Sequence, residues 1–150
     1  MKIIKDKQIK EDSWTHLSNN DEISSGNITV SLSRWKKEKE ALNDHNGDIG
    51  IRLLPSDTVE EIASDLNSIS VVALEFPAFT DGRSFSQARL LRDQYKFDSE
   101  IRAMGHFMLD QIFYLSRVGV NSFQIEKADE LNSALSMLND FTVNYQQSST

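Results

Sequence analysis

The chain contains no cysteine, which excludes disulfides, thiolate nucleophiles, and zinc or iron–sulfur centres held by cysteine. No apolar run approaches the roughly 20 residues that a membrane span needs. The opening residues, MKIIKDKQIKED, alternate charge with isoleucine instead of forming the apolar core of a signal peptide. A cytoplasmic chain without membrane contact is the expectation. Positive charge is also scarce. Sixteen Lys and Arg against 23 Asp and Glu give a formal net charge of −7, which argues against nucleic acid as a partner, since that binding relies on cations neutralising phosphates. Glycine-rich phosphate loops are missing: neither a P-loop nor a dinucleotide fingerprint can be read. His16 and His45 have no ligand spacing to one another, so a metal site is not expected. The sequence therefore points to no bound cofactor.

What is present fits one globular core. At 150 residues the chain is long enough for a single self-sufficient domain and short for two. We read 1–150 as one α/β domain, with an N-terminal hairpin and loop module (1–27), a βα core (28–142) and a flexible tail (143–150). Ile3, Ile4 and Ile9 around Asp6-Lys7 predict a short hairpin. Trp14 and Leu17 lead into a polar loop, Ser18 to Gly26. Ile28 and Val30 alternate with polar residues as in a strand, and Ser31 or Ser33 can cap a helix over Arg34–Leu42.

Strands and helices then alternate. Ile49–Leu54 is a strand-length run, and Asp57 with Glu60, or Thr58 with Glu61, makes a capping box. Val59, Ile62, Ala63, Leu66 and Ile69 follow at helical spacing. Val71–Phe76 is continuously apolar apart from Glu75, as a strand covered on both faces would be. A helix is predicted over Ser84–Tyr95, a strand over Ile101–Met104, and a helix carrying Met108, Ile112 and Leu115 inward up to Gly119. A short strand over Ser122–Ile125 and a final helix striped by Leu131, Ala134, Leu135, Leu138 and Phe141 complete the pattern. Such alternation implies parallel strands with crossover helices. The expected fold is α/β with about five parallel strands, either a flavodoxin-like open sheet or a partial (β/α) barrel, plus the N-terminal hairpin.

The segment FPAFTDGRSFSQARLLRDQYKFDSEIR, Phe76 to Arg102, carries the densest polar chemistry. It starts where a strand gives way to a helix, the edge at which open α/β sheets bind ligands. Between Arg83 and Arg102 four arginines and one lysine face Asp93, Asp98 and Glu100, a mildly basic stretch in an acidic chain. Arginine forks suit carboxylate, sulfate or phosphate. The candidate anion- or partner-binding residues are Asp81, Gly82, Arg83, Ser84, Ser86, Arg89, Glu100 and Arg102. Asp81 or Ser84 serves equally as a helix cap. Arg92 can pair with Asp93, Asp98 or Glu100. Glu100 and Arg102 share one side of a strand, and an ion pair is the structural reading of them. His106 precedes Asp110 by four residues, a spacing that places both on one helix face, but no nucleophile is tied to them by sequence.

FPAFTDGRSFSQARLLR followed by SEIRAMGHFMLDQIFYLSRVGVNSFQI resembles a bacterial family of uncharacterised proteins. That family is linked, as probable oxidoreductases, to sulfite reduction because its members accompany sulfate-assimilation enzymes. The matching positions are Phe76-Pro77, Asp81-Gly82-Arg83, Ser86, Ala88-Arg89-Leu90-Leu91-Arg92, Glu100-Ile101-Arg102-Ala103, Gly105 and Asp110-Gln111, with weaker similarity across Trp35, Arg52 and Phe123. Val118 stands where cysteine is common in relatives, and His106 where an acidic residue is frequent, so thiol chemistry at that position is closed to this chain. The resemblance implies an accessory protein of assimilatory sulfate or sulfite reduction that binds a sulfur oxyanion or docks on sulfite reductase or another enzyme of that route. Two other classes stay open: a small α/β enzyme acting on an anionic metabolite through His106, Asp110 or Glu100, and a structural homo-oligomer.

Overall fold

The computed structural model describes residues 1–77 and 82–148, with side chains placed for 1–77 and 82–139. The predicted hairpin is present: β1 (Lys2–Lys5) pairs antiparallel with β2 (Gln8–Glu11). Asp6 and Lys7 take left-handed φ values of 51° and 64°, the type I′ geometry whose twist matches that of the flanking strands. The remaining strands are β3 (Thr15–His16), β4 (Ile28–Ser31), β5 (Ile49–Leu53), β6 (Val71–Phe76), β7 (Glu100–Gly105) and β8 (Ser122–Gln124).

They form one mixed sheet of eight strands in the order β2-β1-β8-β7-β6-β5-β4-β3. This corrects the expectation of about five parallel strands. The run β3 to β8 is parallel throughout, but the hairpin is no appendage: β1 adds antiparallel to β8, and the segment at Thr15–His16 adds to β4. Consecutive strands β4 to β8 stay neighbours without the order reversal of a flavodoxin-like sheet. The sheet is an open half-barrel.

Chain length explains the curl. β2 and β3 lie at opposite edges, yet only Asp12, Ser13 and Trp14 separate them. Four residue steps reach at most ~14 Å, whereas eight strands laid flat would span roughly 34 Å. The sheet must bend until its edges approach, and residues 12–14 strap the opening. Gly50 reflects the same curvature. A Cβ there would meet Val71 Cγ1 at 2.1 Å and Thr29 Cγ2 at 3.0 Å, because side chains converge on the concave face.

The helices pack against the convex face. α1 (Leu32–Asn43) is capped by Ser31, whose hydroxyl accepts from the Arg34 N–H. Val59–Ser68 is a 3₁₀ helix opened by the Thr58–Glu61 capping box. α2 (Arg83–Arg89) runs into a π-helical turn, Leu90–Gln94. α3 (Ile112–Arg117) follows a 3₁₀ turn at Leu109–Gln111, and α4 spans Leu131–Ser148. Ile28, Val30, Ile51, Leu53, Val72, Leu74, Phe76, Ile101 and Phe123 point outward into one cluster with Trp35, Ile62, Leu91, Ile112, Leu115 and Leu138. Each such side chain contributes about 1.5–3 kcal/mol on burial. Trp35 is anchored by its indole N–H, which donates to Asp65 at 3.0 Å. Met108, expected inward, is 45 % exposed, because it precedes the first helical turn instead of lying within it. Among the described residues no helix is long and apolar enough to cross a membrane.

Candidate functional site

The residues singled out from sequence separate into two places. Gly82, at the N-terminus of α2, and Arg83, Ser86 and Arg89 within it are exposed beyond the carboxyl end of β6. Asp81 lies outside the described residues. Ser84 is fully buried, its hydroxyl unpartnered among the described residues. α2 is held to the loop after β5 by Gln87, whose amide donates to the carbonyls of Leu54 (2.9 Å) and Asp57 (2.8 Å). Glu100 and Arg102 are elsewhere, on the concave face of β7.

There they form the pair expected from their spacing. Arg102, 1 % exposed, donates from Nε and Nη2 to Glu100 Oε2 at 2.9 and 2.8 Å, and from Nη1 to Asp12 Oδ1 at 2.9 Å. Glu100 Oε1 also meets Lys5 Nζ at 3.2 Å. Asp12 passes the network on. Its second oxygen lies 2.8 Å from His16 Nε2, and His16 Nδ1 lies 2.7 Å from Thr29 Oγ1. Burial alone would raise the Asp12 pKa, but hydrogen bonds from His16, Arg102 and the Trp14 N–H hold it well below the usual carboxylate range. Arg52 joins at Thr29, donating from Nη1 to its carbonyl (2.8 Å) and hydroxyl (2.7 Å), and from Nη2 to the Leu17 carbonyl. A polar chain thus crosses the half-barrel interior from Lys5 to Arg52 and pins the residue 12–17 strap to it.

Glu75 differs from its neighbours. Paired strands place it two residues beyond Ala73, which is opposite Arg52, so it shares the concave face at the carboxyl edge. It is half-buried, and its side chain makes no hydrogen bond among the described residues. Burial pushes its pKa up, Arg52 and His16 pull it down, and Asp57 adds to the rise. A carboxyl group perturbed by desolvation beside a specific charge is a mark of functional sites, and the carboxyl ends of strands are where (β/α) barrels place them.

The convex side offers a second feature. Between α2 and α3 runs a groove of about 460 Å³ lined by Phe85, Arg89, Arg92, Asp93, Tyr114, Arg117, Val118 and Gly119. Arg92 builds it: Nε and Nη2 donate to the Gly119 carbonyl at 3.0 and 2.8 Å, and Nη1 to those of Phe97 and Ser99, both at 2.7 Å. Arg92 therefore braces backbone and forms none of the carboxylate pairs weighed for it. Arg89 and Arg117 stay exposed on the groove walls.

His106 and Asp110 do not share a helix face, because regular helix begins only at Ile112 and His106 precedes the first turn. Among the described residues, no group of three or more His, Cys, Asp or Glu could hold a metal ion. Sequence reading missed Asp12, His16, Thr29 and Arg52 as one network and passed over Glu75 as an exception. The available signal was charge inside apolar strands, singly at Arg52 and Glu75 and as a pair at Glu100 and Arg102.

No curated protein matches this chain. Residues 50–150, about two thirds of it, match the model of a family described as bacterial protein of unknown function (DUF934), and the chain belongs to that family.

Proposed function

We propose that this member of the DUF934 family binds a small oxyanion in the groove between α2 and α3, and serves assimilatory sulfate or sulfite reduction as an accessory protein. One observation carries the binding reading: a chain of net charge −7 gathers three arginines and a single acid, Asp93, around that groove. The exposed planar fork of Arg89 suits sulfate, sulfite or phosphate, Arg92, whose N–H groups are spent on the backbone, adds only its positive charge, and Tyr114 lines the same wall. The link to sulfur comes from the family resemblance. Exposed Leu90 and Tyr114, 40 % and 58 % accessible, border the arginines and favour the docking form of the reading, in which this face also meets a reductase.

Thermal unfolding in sulfate, sulfite and phosphate, against chloride at matched ionic strength, tests it. A ligand at one hundred times its Kd should add about 2.7 kcal/mol to the unfolding free energy. Arg89→Ala should fold normally and lose most of that gain. Identical melting of wild type and variant in all four salts refutes the site. Recovery of sulfite reductase subunits with a tagged chain, lost in Tyr114→Ala, would support docking, and recovery of this chain alone would count against it.

A further inference from the structure

The groove between α2 and α3 is too large and too varied in its lining for a bare oxyanion. Its volume is about 460 Å³, whereas a tetrahedral ion displaces about two waters of roughly 30 Å³ each. The space falls instead within the roughly 300–1,000 Å³ of sites that enclose organic ligands. Three kinds of side chain face it. Arg89 is exposed and has no ion-pair partner among the described residues, so its planar fork is open to a phosphate-like group. Asp93 lies four residues on, a spacing at which Arg and Asp commonly pair on a helix, yet it too is exposed and unpaired among the described residues. Phe85 and Tyr114 bring one ring from α2 and one from α3, and Tyr114 is 58 % exposed.

Each kind constrains the ligand. A bare oxyanion would use Arg89, meet the repulsion of Asp93 and leave both rings uncovered. A ligand with hydroxyl donors beside its anionic group turns Asp93 into a hydrogen-bond acceptor. One with a planar ring covers Tyr114 by stacking, a contact that every nucleobase can make. A single open arginine fork matches a single phosphate, and the lack of a glycine-rich phosphate loop removes the usual cradle of a di- or triphosphate. The groove wall is itself irregular: Arg92 and Asp93 lie in the π-helical turn Leu90–Gln94, and such turns are frequent at functional sites. We propose, resting on the oxyanion reading of this groove, that its ligand is a nucleoside monophosphate. The phosphate lies on Arg89 beside the charges of Arg92 and Arg117, the sugar hydroxyls on Asp93 and the base on Tyr114.

Titration calorimetry of the full chain with the adenine, guanine, cytosine and uracil ribonucleoside monophosphates tests this, against their parent nucleosides, ribose phosphate, inorganic phosphate and sulfate. At least one nucleotide should bind roughly tenfold or more tighter than ribose phosphate or inorganic phosphate, the increment expected of one stacked base. Sulfate should displace it, and the matching nucleoside should bind at least about tenfold more weakly, having lost the charge-assisted contact. Tyr114→Ala should bring nucleotide affinity down to that of ribose phosphate, whereas Tyr114→Phe should retain it. Arg89→Ala should weaken nucleotide and sulfate alike. Stabilisation by sulfate without any preference for a nucleotide over phosphate would overturn the nucleotide and keep the oxyanion site, whereas binding of neither would overturn the groove as a site. Nucleotide binding indifferent to sulfate, to Arg89→Ala or to Tyr114→Ala would lie outside the groove and equally refute the proposal.

Discussion

Replacing Asp12 with alanine should remove the bolt between the N-terminal strap and the half-barrel. The carboxylate accepts from Arg102 at 2.9 Å, His16 at 2.8 Å and the Trp14 N–H at 3.0 Å. Removing one partner of a buried ion pair costs about 3–5 kcal/mol. Arg102 retains Glu100, and water can reach the partly exposed His16, so the lower end applies, about 3 kcal/mol. Against a typical total of ~5–15 kcal/mol, that is a large fraction. With a urea m-value of about 2 kcal/mol/M, the midpoint should fall by roughly 1.5 M. The pH dependence gives a second check. Because the folded-state pKa of Asp12 is depressed, its stabilisation is fully present above the unfolded value of about 4 and is lost as pH falls from there toward the folded value. Urea melts of wild type, Asp12→Ala and the near-isosteric Asp12→Asn at pH 7 and at about pH 2.5 should therefore show a wide gap that narrows in acid. A variant midpoint within about 0.3 M of wild type at pH 7, or a gap equal at both pH values, would refute the strap's dependence on this carboxylate.

The sign is opposite at Glu75, whose folded pKa is raised: wild type should lose stability as pH rises past about 4.5. Glu75→Gln should therefore melt higher than wild type at pH 7 and equal to it near pH 4, and equal melting at both would contradict the desolvated carboxylate. For the Glu100–Arg102 pair, Glu100→Leu or Arg102→Met alone should cost about 3–5 kcal/mol, and the double variant should recover much of that. A double-mutant cycle with coupling near zero would argue against the pair. Gly119 has φ +111°, and a Cβ there would lie 2.3 Å from Arg92 Cγ. Gly119→Ala should thus destabilise by more than the roughly 1 kcal/mol of the backbone conformation alone, measured by urea unfolding, and a neutral effect would mean that Arg92 is free to move.

Much of the architecture was legible from local pattern. The Asp6-Lys7 turn, the Ser31 cap, the Thr58–Glu61 box and the alternation of strands with helices from Ile28 onward are dictated by residues a few positions apart, and turn geometry, capping and periodicity act at that range. The ion pair of Glu100 with Arg102 was legible for the same reason, since two residues along a strand share a side. Two features were not. Val71–Phe76 reads as a strand buried on both faces, and nothing local says that the face of Ala73 and Glu75 looks into a polar interior. The helix over Ser84–Tyr95 passes into a π turn at Leu90, a change of hydrogen-bond register that periodicity does not reveal.

The linear chain thus determined which segments are strands and helices, which faces are apolar, and which strand positions carry charge. Tertiary structure alone decided where those charges meet. Asp12 and Arg102 are ninety residues apart in sequence, and they touch only because a three-residue link must join opposite edges of an eight-stranded sheet, which forces the curl. That curl turns one face inward and draws Lys5, Glu100, Arg102, Asp12, His16, Thr29 and Arg52 into a single network. It also leaves Glu75 facing Arg52 without bonding to it, because long-range pairing, and not local preference, sets which strands lie side by side.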